Sequence, residues 1–303
     1  MSTSASLVQD ASVDRAQFNR DWEAWHVEHE KRRTDGHGFL AVTSLNFLSE
    51  EPQAIEGIPG TWSLEDGQAI VDLADGETLE ADGLLLQGPR LHRFPCIAER
   101  DGVNARAGKV LIEIAKRGGF TIVRPRDPDY DYLASYSGTP TYLPNLRWRA
   151  EGTFEAFDEP RDVTVGAAVE GLEHVYSSPG KVTFELRGEQ FSLTAFNGHE
   201  PGSLFVLFTD ATSGLTTYAA NRSLAIAAPD ADGRVTVDFN RAVNLPCAYT
   251  VFATCPLPPA ENRLPVGIEA GEKTPLTKAG EAARSSKSST SSRTSPTRSR
   301  VRS

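Results

Sequence analysis

The chain has 303 residues, a formal net charge of −10, 39% hydrophobic and 24% charged residues, a balance that suits one large globular domain or two small ones. The charge is uneven: residues 273–303 hold eight Lys or Arg and one acid, which leaves 23 basic against 40 acidic residues in the part before them. A body this acidic repels phosphate backbones and is a poor nucleic-acid binder, so only the tail has the charge for that role.

Residues 1–11 lack the charged-then-apolar order of a leader. No stretch approaches the roughly 18 apolar residues of a membrane span. A cytoplasmic protein without a membrane partner is therefore expected, with Cys96, Cys247 and Cys255 as reduced thiols.

A disordered N-terminus is expected over residues 1–12, then a helix over 13–34. Asp14 followed by Gln17 reads as a capping box, and Phe18, Trp22 and Trp25 recur on one helical face, so this helix should dock on the body through its Trp pair. His26 and His29 share a face, but no third metal ligand accompanies them and no metal site is expected.

From residue 37 to 272 the pattern is one of short apolar runs between turn dipeptides, among them Asp66-Gly67, Asp75-Gly76, Asp82-Gly83, Asp101-Gly102, Asn197-Gly198 and Asp232-Gly233, which favour hairpins. A mainly β body follows, a β-sandwich or barrel-like fold with the N-terminal helix docked on it. Residues 127–146, rich in Tyr, Pro, Asp and Ser, divide it into two β halves or form one long loop. Asp127, Asp129 and Asp131 imitate the start of a calcium loop, but Tyr132 stands where the turn glycine belongs. Alternation marks Trp148, Ala150, Phe154 and Ala156, then Val182, Phe184 and Leu186, with Gly188-Glu189 turning the chain back into Phe191, Leu193 and Ala195. Leu204 to Phe208 is apolar throughout, as in a strand covered on both faces. Residues 273–303 are too polar to offset chain entropy and should be disordered.

Phosphate loops, nucleophile elbows, C-x-x-C and H-E-x-x-H are absent. The most informative segment is Leu204 to Asn262. On a strand beginning near Val235, Val237 and Phe239 face the core while Asp238 and Asn240 face away, and Arg241 follows at the strand end. With Tyr218, Arg222 and Cys247, these groups would form a rim. Two guanidiniums in one mouth would clamp a carboxylate or phosphate; the alternative is that Asp238 and Arg241 pair to pin the Pro-rich crossing at Pro256, Pro258 and Pro259. Cys247 and Cys255 read as small buried apolar residues or as a pair with redox or metal work.

Asp238 to Ala242, Pro246 to Ala248, and Cys255 to Pro259 with Asn262 resemble the signature of a bacterial family catalogued as domain of unknown function 1684. Upstream, Asp210 with Thr212 to Gly214, Thr217-Tyr218 leading to Arg222, and His37 to Leu40 resemble it too. This chain has Leu245-Pro246 where two prolines are expected, and Ala219-Ala220 where glycines are. The resemblance implies relatedness and no mechanism, and it names no cofactor. Two functional expectations remain. One is a small-molecule binder or enzyme for an anionic ligand at the late-strand rim, with His37 as the candidate general base. The other is a non-enzymatic interaction protein whose basic tail contacts nucleic acid or an acidic partner.

Overall fold

The computed structural model describes residues 14–280. The expected N-terminus at 1–12 and most of the expected tail lie outside them. Helix α1 (Arg15–Arg33) starts where Asp14 Oδ1 accepts the Ala16 N–H at 2.9 Å. The capping box does not form, because Gln17 reaches forward to Asp21 at 2.6 Å. Phe18 is buried, and Trp22 Nε1 donates to the Asn240 carbonyl at 2.8 Å, which docks the helix on the late strands as its Trp spacing implied.

The first set of strands comprises β1 (Asn46–Phe47), β2 (Gln53–Ala54), β3 (Thr61–Glu65), β4 (Gln68–Leu73), β5 (Thr78–Ala81), β6 (Leu84–Gln87), β7 (Arg90–Arg93), β8 (Gly102–Ala107), β9 (Val110–Arg117) and β10 (Phe120–Arg126). They form a sheet of order β1-β10-β9-β8-β5-β6 and a second of order β2-β3-β4-β7, antiparallel throughout. Between the two sheets lies a core built from Trp62, Val71, Leu79, Ile112, Ile114 and Val123 among others. Asp66-Gly67 and Asp82-Gly83 have positive φ at both residues and close two-residue hairpins, as their sequence implied. Asp101-Gly102 does not, because Gly102 is already paired with Ala115 in β8.

Residues 127–148, with the short helix α2 (Asp131–Ser135), lead to the second set: β11 (Arg149–Gly166), β12 (Glu173–Leu186), β13 (Glu189–Asn197), β14 (Leu204–Phe208), β15 (Arg222–Ile226) and β16 (Arg234–Asp238). Their order is β15-β14-β13-β12-β11-β16. This sheet curls into a half-barrel around Trp148, Val182, Phe184, Val206, Phe208, Val237 and Phe239, and Leu264, Ile268 and Ala270 close it. The expected burial of Leu204–Phe208 on both faces holds: Leu204, Val206, Leu207 and Phe208 are buried. The turn after β12 falls one residue earlier than expected, at Arg187-Gly188.

The body does not end at 272. Ala279 is buried, donates to the Tyr249 carbonyl at 2.7 Å and accepts from Val251 N–H at 3.1 Å, so residues 273–280 are docked rather than disordered. No helix among the described residues is long and apolar enough to cross a membrane.

Candidate functional site

The residues expected at one rim are distributed over three places. Asp238 ends β16 and caps a 3-10 turn at Phe239–Arg241 by accepting the Asn240 N–H at 3.1 Å. Because the chain leaves the sheet there, strand alternation stops and Asn240 turns inward. It is buried, accepts from Asn145 N–H at 2.8 Å and donates to the Asn145 carbonyl at 3.0 Å. Arg241 Nε lies 3.6 Å from Asp238 Oδ2 with its guanidinium over Trp25. Asp238 and Arg241 border a shallow hollow of about 380 Å³ against α1, but its walls also carry Asp14, Asp21 and Arg149, so three acids offset two cations there.

Arg222 is elsewhere. Its side chain is 1% exposed and Nη2 pairs with Asp210 Oδ2 at 2.8 Å. Nη2 also donates to the Ile268 carbonyl at 3.0 Å and Nη1 to the Glu272 carbonyl at 3.3 Å, with a further bond to Ala270. Burial pushes this guanidinium down, with Asp210 opposing. Arg222 therefore bolts the closing segment onto the half-barrel and shares no mouth with Arg241. Tyr218 Oη donates to the Cys247 carbonyl at 2.8 Å. Cys247 is buried and its N–H points at Cys255 Sγ, 3.2 Å away. Hydrogen bonding with Cys247, together with burial, pushes the Cys255 thiol up, so it stays protonated. His37 joins none of these groups; its Nε2 meets the Lys109 carbonyl at 2.9 Å.

His29, Glu30 and Glu272 bring ligand-type atoms within 4.8 Å of one another. Arg33 fills that position, binding Glu30 and Glu272 through its two terminal nitrogens. Burial opposes ionisation of Glu272, yet His29 and Arg33 hold its carboxyl below the usual range. Tyr136, pushed up to about 12 chiefly by burial, and Tyr249 complete a network that ties α1 to the C-terminal segment. Asp127 and Asp129 are bridged by Lys109.

A different cluster has the chemistry expected of the rim. Glu113 on β9 stands directly opposite Arg124 on β10. Side chains alternate across a strand, so Glu113, Arg117, Arg124 and Arg126 share one face of the sheet while Ile112, Ile114 and Val123 fill the core on the other. Glu113 accepts from Arg124 Nε at 3.0 Å and Nη2 at 2.6 Å, and it also meets Arg126 and, at 3.4 Å, Arg117. Burial works against ionisation of Glu113, yet Arg124 and then Arg126 hold its carboxyl down at about 2. Burial and the like charge of Arg124 push Arg117 down, the electrostatic mark of one carboxylate among several guanidiniums.

This face lies under the second set of strands, and a cleft of about 240 Å³ remains between them. Arg100, Arg117, Arg124 and Arg126 line it from one side, His174 and Tyr176 from β12, and Pro246, Thr250 and residues 252–256 from the Pro-rich crossing; Phe39 and Val42 add apolar wall. Arg100 lies over the Tyr176 ring at 4.2 Å. Buried His174 faces the Thr254 carbonyl through Nε2 at 2.6 Å, which assigns the proton to Nε2 and leaves Nδ1 as a lone pair; neither this Nδ1 nor Arg126 Nε has a hydrogen-bond partner. Reading the sequence for late-strand chemistry missed this cluster. Its signal was Arg124-Pro125-Arg126 and Arg117 within apolar strands of an acidic chain, but the shared face depends on the β9/β10 register.

Residues 134–273 match the family model described as "Protein of unknown function (DUF1684)". That span includes His174 and the crossing but not the arginines of β9 and β10. A solution NMR structure of an uncharacterized protein from Haloarcula marismortui is 31% identical over 48% of this chain and 82% of that one, with a TM-score of 0.40. No curated protein matches the chain. The chain belongs to the DUF1684 family of proteins of unknown function.

Proposed function

We propose that this protein binds a small anionic molecule in the cleft between the β8–β10 face and the Pro-rich crossing. The observation that carries this reading is four arginines along a concave surface, three of which share one carboxylate, Glu113, in a chain of net charge −10. A positive pocket in an acidic body focuses anions, and guanidiniums bind carboxylate or phosphate through paired donors. The expected anionic ligand is retained, while its place moves from Arg222 and Arg241 to Arg100, Arg117, Arg124 and Arg126.

The volume of about 240 Å³ lies below the usual range for drug-sized ligands, roughly 300–1,000 Å³, which favours a compact molecule. Apolar walls from Phe39, Val42, Phe252 and Pro256 favour a ligand with an apolar body behind its charged group. Three stretches that resemble the family signature meet here, through Phe39, Pro246 and Cys255-Pro256. If the site performs chemistry, the Nδ1 lone pair of His174 is its base. Three free thiols fit a cytoplasmic setting. A thermal-shift screen with phosphate, sulfate, acetate and benzoate tests the reading. Stabilisation of the wild type that is lost in Arg100→Gln supports it, and an unchanged Tm with every anion at millimolar concentration rejects it.

A further inference from the structure

We infer that the anion held in the cleft is a hydroxy acid, its carboxylate at the arginines and its hydroxyl donating to Nδ1 of His174; this rests on the cleft reading above and narrows it to a ligand class. Buried polar atoms are nearly always hydrogen-bonded, because an unmet one forfeits the bond it had in water. Two buried side-chain atoms that break this rule belong to residues lining the cleft: Arg126 Nε, a donor, and His174 Nδ1, an acceptor. The other polar atoms of both side chains are committed. Arg126 Nη1 donates to the His37 carbonyl at 2.9 Å and Nη2 binds Glu113, while His174 Nε2 donates to the Thr254 carbonyl. His174 is 4% exposed, so bulk water competes little for its lone pair. A ligand that meets both unfilled positions carries an acceptor and a donor.

Charge and space choose among such molecules. The acceptor end is anionic, because it meets guanidiniums of which Glu113 neutralises only one charge. The donor end is neutral, because an ammonium would add a further positive charge to the same small cleft, so a hydroxyl fits where an amine does not. The two ends are close. His174 and Tyr176 stand two residues apart on β12 and project from one face, with ring centroids 5.9 Å apart, and Arg100 lies over the Tyr176 ring. Tyr176 therefore neighbours both the free acceptor and a guanidinium. Hydroxyl and carboxylate thus belong on one compact body rather than at the ends of a long chain, and the apolar walls suit an aromatic or short branched frame between them. A simple carboxylate leaves the His174 lone pair unmet, and inorganic phosphate leaves the apolar walls unused.

The test is isothermal titration of the full-length wild type with benzoate, para-fluorobenzoate, the ortho, meta and para isomers of hydroxybenzoate, and inorganic phosphate. The meta or the para hydroxy acid should bind about tenfold or more tighter than benzoate and than para-fluorobenzoate, which has a similar size and no donor. The ortho isomer should show no such gain, because its hydroxyl already bonds its own carboxylate. In His174→Phe the ratio of hydroxy to fluoro affinity should fall to about one, since the acceptor is gone and the aromatic wall remains. Equal binding of hydroxylated and fluorinated acids by the wild type overturns the inference and leaves the cleft reading standing; this comparison decides even where His174→Phe does not fold. A preference that survives in folded His174→Phe overturns it too, as does phosphate binding more tightly than every hydroxybenzoate. No heat from any of these anions at millimolar concentration removes the cleft reading itself, and this inference with it.

Discussion

Arg124 grips Glu113 through two nitrogens, at 3.0 and 2.6 Å, from the position directly across the β9/β10 ladder. Arg126 and Arg117 approach the same carboxylate, so one negative charge holds three positive ones on a partly covered face. That imbalance leaves cationic capacity for a ligand, and Glu113 is its internal counter-ion.

Glu113→Gln removes the counter-ion while keeping the shape. The arginines then repel one another, and stability should fall by about 2 kcal/mol, less than for a fully sealed pair because the side chains retain some exposure. Added phosphate should restore more Tm to this variant than to the wild type, since an external anion takes the vacated role. Thermal melts with and without phosphate check this; equal shifts in both proteins would argue against a ligand-competent cluster.

The Glu113 carboxyl titrates near 2 in the folded protein against an ordinary 4.5. A depressed carboxylate contributes stability that is complete above its unfolded pKa and is lost as pH falls through the folded one. The window is therefore about 4.5 down to about 2, and the contribution is about 3 kcal/mol. The wild type should lose stability across this window more steeply than Glu113→Gln. Parallel stability curves for the two proteins would contradict the assignment.

Arg222→Met should destabilise by about 3 kcal/mol or more, because it leaves Asp210 buried without its cation and strips donors from the carbonyls of Ile268, Ala270 and Glu272. Arg222→Lys should cost about 2 kcal/mol, since an ammonium keeps the charge but not the planar fork. Urea midpoints give both numbers. Wherever the variants fold, anion stabilisation should be that of the wild type, because this arginine does not line the cleft.

Arg33→Leu should release α1, leaving Glu272 buried and charged without its main partner. A red shift of tryptophan emission from Trp22 and Trp25 at temperatures where the sheets stay folded would report it. A single coincident transition by fluorescence and far-UV circular dichroism would show that the helix is not held separately.

Much of the architecture was legible along the chain because its signals are local. Asp14 and the Phe18, Trp22, Trp25 spacing mark the helix and its docked face. Asp66-Gly67 and Asp82-Gly83 mark hairpins, and Val182, Phe184 and Leu186 mark the inward side of a strand. The site was less legible, since it depends on which face and which partner. Asp210, two residues past β14, meets Arg222 only because Phe208 pairs with Arg222 in the β14/β15 ladder, Asn240 turns inward only because the strand stops at Asp238, and Arg117, Arg124 and Arg126 converge only once β9 and β10 are in register. Arg222 and Arg241 looked like a pair in the sequence, whereas folding buries one and leaves the other beside Trp25.

Isothermal titration of benzoate and of phosphate into the wild type and into Arg100→Gln/Arg126→Gln measures whether the arginine-lined cleft holds anions. Salt-sensitive binding of at least one of these anions to the wild type is expected, with a loss of at least tenfold in the double variant. Equal affinity in both proteins, or no heat of binding from either anion at millimolar concentration, would contradict it.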